Sequence, residues 1–106
     1  MIDRQEMLDK AIRIIVSASD PDRIILFGSR ARGEVFAGGD YDLFVLKKGM
    51  RDPRRVAQKI YMGLAGFGAP VDVIVEDEEK YERLKDDPYL IYHAIAAEGK
   101  VIYEKS

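Results

Sequence analysis

Residues 23–46 read RIILFGSRARGEVFAGGDYDLFVL, two apolar runs separated by a polar, glycine-rich stretch. Arg23-Ile24-Ile25-Leu26-Phe27 is short, β-branched and apolar and stops at Gly28, the pattern of a strand buried on both faces. A second strand is expected from Asp40 to Leu46. Between them Ser29-Arg30-Ala31-Arg32-Gly33-Glu34 reads as a short helix opened by Ser29, broken by Gly38-Gly39. Upstream, Met7, Leu8, Ala11, Ile12, Ile14 and Ile15 recur at nearly helical spacing. This predicts an amphipathic helix over 2–19 with Asp3 as N-cap and Glu6 three residues on.

Downstream, Pro53 suits the first turn of a helix running to about Phe67. Val56, Ile60, Met62, Leu64 and Phe67 would form its apolar stripe, and Gly66-Phe67-Gly68-Ala69-Pro70 its end. Val71 to Val75 is a third strand, Asp77 to Leu84 a charged helix, and Asp87-Pro88 the start of another helix reaching about Glu98, with Gly99 as its stop. Val101 to Tyr103 closes the chain as a short strand. With no internal repeat, linker or low-complexity segment, residues 1–106 read as one α/β domain. The expected architecture is a mixed central sheet of three to four strands flanked by helices.

Composition narrows the function. With 106 residues there is room for one core and little for a second substrate-gripping lobe. No apolar run approaches the roughly 18 residues of a membrane span. No cysteine is present, which excludes disulfides and thiolate zinc sites, and the start MIDRQEMLDK has no apolar signal-peptide core, so a cytoplasmic, soluble protein is expected. Lys+Arg 17 against Asp+Glu 19 gives a net charge of -2, which argues against general nucleic-acid binding.

Three aspartates carry the chemistry, because their apolar context makes them costly to place: Asp40 and Asp42 at the head of the second strand, and Asp72 inside Val-Asp-Val-Ile-Val. Alternate residues of a strand share a face, so Asp40 and Asp42 point the same way. The helix from Pro53 is a crossover, which makes the second and third strands parallel if they share a sheet and brings Asp72 beside the other two. Three clustered carboxylates repel unless divalent cations neutralise them. Two magnesium ions about 3.5–4 Å apart would suit such a site and an in-line phosphoryl displacement. Phe27-Gly28-Ser29, ending a strand and opening a helix, would supply the anion grip, with Gly28 allowing close backbone approach and Ser29 adding a hydroxyl. If the first two strands are antiparallel neighbours, grip and carboxylates meet. Arg30 and Arg32 are both placed to neutralise phosphate charge, and the sequence does not separate them.

Gly28-Ser29, ten residues, then Asp40-Tyr41-Asp42 resembles the signature of the DNA polymerase β-like nucleotidyltransferase superfamily, and Asp72 matches its third carboxylate. The short Gly-Ser-Arg-Ala-Arg-Gly form resembles the minimal nucleotidyltransferase (MNT) branch, of the MntA-like antitoxin type. The resemblance implies that Asp40 and Asp42 hold both metals, that Asp72 completes one metal site and activates the acceptor hydroxyl, and that Gly28 and Ser29 hold the triphosphate. It further implies AMP transfer from ATP, or NMP transfer from another NTP. The implied acceptor is a tyrosine of a HEPN ribonuclease partner, as in a type VII-like toxin–antitoxin system. Gly39 departs from the pattern, since many relatives carry serine before the first aspartate, but no metal ligand is lost.

Each half of the motif is common alone; the spacing joined to a third aspartate in an apolar strand is what gives it weight. Two rivals are a catalytically silent antitoxin that neutralises a HEPN ribonuclease by direct binding, and a metal-dependent glycosyltransferase using Asp-Tyr-Asp, in which Gly28-Ser29 would have no role. His93, without a second histidine, reads as a packed or partly exposed residue. Gly63 to Gly68 lacks the lysine of a P-loop and reads as a helix end. Glu76-Asp77-Glu78-Glu79 suits a solvated helix start. Tyr81, Leu84, Tyr89, Tyr92 and Ile95 read as core before interface, with contact to a partner as the alternative.

Overall fold

A computed structural model describes residues 4–28, 30–31 and 41–106. The elements are α1 (Arg4–Ser19), β1 (Arg23–Phe27), β2 (Tyr41–Lys47), α2 (Pro53–Gly63), β3 (Val71–Asp77), α3 (Glu78–Leu84), α4 (Ile91–Glu98) and β4 (Lys100–Glu104). The sheet has the order β3-β2-β1-β4. β2 and β3 are parallel, joined through α2, while β1 is antiparallel to both β2 and β4. This is the mixed, helix-flanked α/β sheet expected from the sequence. The Asp3 cap lies outside the described residues, as do Ser29 and residues 32–40.

Alternation along β2 separates two cores. Tyr41, Leu43 and Val45 face α1 and α2 and pack with Ala11, Ile15 and Ile60, whereas Phe44 and Leu46 face α3 and α4 and pack with Ile25, Tyr81 and Ile95. β1 is buried on both sides, as its apolar run requires, with Ile24 and Leu26 in one core and Ile25 in the other. Phe44 is fully buried and meets Tyr81 edge-on at 5.2 Å between centroids, and Tyr92 at 5.8 Å. Arg23 at the start of β1 pairs with Glu78 and Glu82 and ties α3 to the sheet.

Several element limits differ from the sequence reading. α2 ends at Gly63 rather than near Phe67: after the Leu64 cap the chain turns, and Gly66 at φ +76° takes the left-handed conformation that stops a helix from resuming. Leu64 and Phe67 remain in the core from the turn, but Met62 is 77% exposed and leaves the expected stripe. β3 runs two residues beyond Val75, and Asp77, expected inside α3, is instead its N-cap, accepting from the Lys80 N–H at 3.2 Å. α4 starts at Ile91, because Asp87 builds a turn of its own: its carboxylate accepts from the Tyr89 N–H at 3.0 Å and its carbonyl from the Leu90 N–H at 3.1 Å. That turn leaves Tyr89 94% exposed, out of the expected core stripe, while Tyr81 and Ile95 are buried as expected.

Phe44→Ala should lower unfolding free energy by about 3–5 kcal/mol through loss of buried area and a residual cavity. Met62→Ala should change it by less than about 0.5 kcal/mol. Urea denaturation of the two variants checks both values.

Candidate active site

The site forms where β1 stops and β2 and β3 begin. Asp42 is the ladder partner of Phe27 across β1–β2 and of Asp72 across β2–β3. In parallel register, directly opposed residues put their side chains on the same face about 4.8 Å apart at the backbone. The Asp42 and Asp72 carboxylates therefore share the α3/α4 side of the sheet, at one end of it. Asp42 is half-buried and Asp72 exposed. The Tyr41 N–H donates to the Pro70 carbonyl at 3.0 Å, which aligns the first residues of the two strands.

Gly28 follows Phe27 at φ +76°. A Cβ at this position would collide with the Asp42 carboxylate, so the glycine allows bare backbone to lie against that carboxylate. Any anion held by the amides after β1 would be adjacent to Asp42. Phe27 and Phe44, on the same face, lie edge to face at 6.5 Å and 89°. With Tyr81 and Tyr92 they make an aromatic cluster on the face of the sheet that carries the carboxylates.

Farther along that face, the Tyr92 hydroxyl donates to Glu76 Oε2 at 2.5 Å, and Lys80 pairs with the same oxygen at 3.5 Å. Burial pushes the Tyr92 phenol up, the Glu76 hydrogen bond adding to the effect, to about 12. Burial raises the Glu76 carboxyl, but the hydrogen bonds from Tyr92 and the Asp77 N–H, with the Lys80 charge, outweigh it and leave the group below its ordinary value.

The residues singled out in the sequence fall into two groups. Gly28, Asp42 and Asp72 are brought together. Arg30 lies in a turn, with its guanidinium 3.9 Å from the centroid of the Tyr41 ring, a close cation–π contact on the α1/α2 side of the sheet, opposite the carboxylates. Ser29, Arg32 and Asp40 lie outside the described residues. Among the described residues no group of three or more acidic, histidine or cysteine side chains is clustered for a metal. Two carboxylates in register, one half-buried and one open, are nonetheless hard oxygen donors of the kind magnesium takes alongside substrate phosphates, and so fit a divalent cation. His93 sits on the exposed side of α4, a ring nitrogen 3.3 Å from the Lys85 carbonyl, away from these groups. A cleft of about 380 Å³ lies between α3, α4 and the β1–β4 pair, lined by Arg23, Tyr81, Lys85 and Gly99 among others. Neither Asp42 nor Asp72 lines it.

Residues 9–106 match the family described as "Polymerase beta, Nucleotidyltransferase", and the chain belongs to that family. No curated protein matches it. Among solved structures, the fold is similar to a Sulfolobus solfataricus protein described as a nucleotidyltransferase (TM-score 0.61, 20% identity, 94% of this chain and 79% of that one). It is also similar to a toxin–antitoxin structure with AMP-PNP (TM-score 0.63, 20% identity, 92% and 73%). A third is the toxin–antitoxin MntA–HpeT with a tyrosine-to-alanine substitution (TM-score 0.56, 19% identity, 100% and 76%). At these identities the likeness is one of fold. No helix among the described residues is long and apolar enough to cross a membrane.

Gly28→Ala should cost about 1–2 kcal/mol of stability for the left-handed backbone, and it should abolish any thermal stabilisation by magnesium and ATP, as checked by melting curves with and without both. The Tyr92 phenol titrates later folded than unfolded, so its contribution is complete below pH 10 and lost as pH rises toward 12. Urea titrations at stepped pH should show the stability advantage of the wild type over Tyr92→Phe shrinking across that window.

Proposed function

We propose that residues 1–106 form a single nucleotidyltransferase domain that transfers AMP from ATP to an acceptor hydroxyl, a tyrosine of a HEPN-type toxin partner. The observation that carries this reading is the register of Asp42 against Asp72 with the Gly28 backbone packed on the Asp42 carboxylate. That arrangement sets two cation-binding groups beside a turn able to receive phosphate. Family membership supports the reaction class, and the two toxin–antitoxin structures of the same fold, one with AMP-PNP, support the donor and partner class.

In this reading Asp40, Asp42 and Asp72 hold magnesium, two ions per site, which supplies charge neutralisation on the triphosphate and on the departing pyrophosphate. Gly28 and Ser29 would hold the triphosphate, through backbone N–H groups and the serine hydroxyl. Arg32, and Arg30 if it leaves the Tyr41 ring, add positive charge at the phosphates. The acceptor oxygen attacks the α-phosphorus in line, the bond from that phosphorus to the bridging oxygen of the β-phosphate breaks, and the hydroxyl proton passes to the Asp72 carboxylate. Asp72 is open enough to meet an acceptor brought by another molecule.

Loss of a group that merely orients a metal ligand costs about 10–100-fold in affinity or activity, so Asp42→Asn should lower transfer by at least ~100-fold. The measurement is label from radioactive ATP appearing on the toxin in the presence of magnesium. Equal labelling by Asp42→Asn and wild type would sink the catalytic reading.

A further inference from the structure

We infer that Tyr61 is the positioning residue for Asp72. The Tyr61 hydroxyl, carried on α2, accepts a hydrogen bond from the Val73 N–H at 2.8 Å and faces the Val73 carbonyl at 3.4 Å as its donor. β3 lies at one end of the sheet order, and its only ladder among the described residues is with β2. The outer backbone groups of such a strand ordinarily meet water or another chain. Here one phenol satisfies both at Val73.

The position matters because Val73 immediately follows Asp72. Successive residues of a strand turn their backbone groups to opposite edges, so with Val73 turned out toward Tyr61, Asp72 and Ile74 are turned toward β2. Asp72 is thus held by the ladder on its inner side and by the Tyr61 clamp one residue on. An exposed carboxylate gains little restraint from packing of its own side chain, and its placement has to come from the backbone beneath it. α2 is a firm base for such a clamp, since Ile60, the residue before Tyr61, is fully buried, and Leu64 is buried just beyond the helix end. The helix is thereby fixed against the sheet it clamps.

This inference rests on Asp72 acting as a magnesium ligand. Tyr61→Phe keeps the ring and removes only the hydroxyl, and the residue is 45% exposed, so the variant should fold. The test compares wild type, Tyr61→Phe and Asp72→Asn by two readouts. One is amide hydrogen exchange at Val73 followed by NMR; the other is the magnesium concentration giving half of the ATP-induced rise in melting temperature. In Tyr61→Phe, Val73 exchange should speed by about fivefold or more, and the magnesium midpoint should rise by about tenfold; Asp72→Asn should raise the midpoint at least as far while leaving Val73 exchange unchanged.

An unchanged midpoint in Tyr61→Phe, with Asp72→Asn shifted, would mean that the hydroxyl only covers the strand edge, and the inference would fail while the functional reading stood. Failure of Tyr61→Phe to fold would overturn it too, since the hydroxyl would then be a structural requirement. A wild type with no magnesium-dependent response to ATP would remove the functional reading, and this inference with it.

Discussion

The pairing of β2 with a neighbour on each side is the constraint on which everything else rests. Tyr41 to Leu46 alternate strictly between two cores, and a slip of one residue would carry Tyr41, Leu43 and Val45 to the α3/α4 side and push Asp42 into the core under α1 and α2. Because both faces of β2 are covered, the penalty for slippage is large in either direction. The apolar residues thereby set the register, and the register places the carboxylates. Asp42 faces Asp72 because Leu43 faces Val73 and Val45 faces Val75.

The chemistry sits at the end of the sheet for the same reason. Along β2 and β3 the face toward α3 and α4 changes from aromatic and aliphatic at Phe44 and Ile74 to carboxylate at Asp42 and Asp72. One step along the strand separates buried from accessible surface. Gly28 completes the arrangement, since the chain leaving β1 must turn with positive φ against Asp42, and any larger residue would occupy the space of the carboxylate.

Much of this was legible in the sequence. The crossover helix between two apolar runs was enough to bring Asp42 to Asp72 once β2 and β3 share a sheet, whereas the antiparallel pairing of β1 with β2 stood in the sequence only as a condition that the structure meets. What local pattern did not disclose came from turn chemistry and from contacts between distant residues. Asp87 used its own carboxylate to delay α4, Asp77 became a cap, and α2 stopped short of its apparent apolar stripe. The stacking of Arg30 on Tyr41 depends on a contact between residues apart in the sequence, and the Tyr61 clamp on one across the sheet edge. Neither has a spacing signal. A tyrosine among Ile60 and Met62 looks the same in sequence whether its hydroxyl meets water or a strand.

The proposed chemistry depends most on Asp42 and Asp72 acting together as one cation site beside the Gly28 turn. The most direct test is a crystal structure of the protein with manganese and a non-hydrolysable ATP analogue, with the metal located by anomalous scattering. The expected result is manganese bound by carboxylate oxygens of both Asp42 and Asp72, with the triphosphate against the backbone at Gly28. Manganese absent from these two side chains, or nucleotide seated instead in the cleft between α3 and α4, would contradict it.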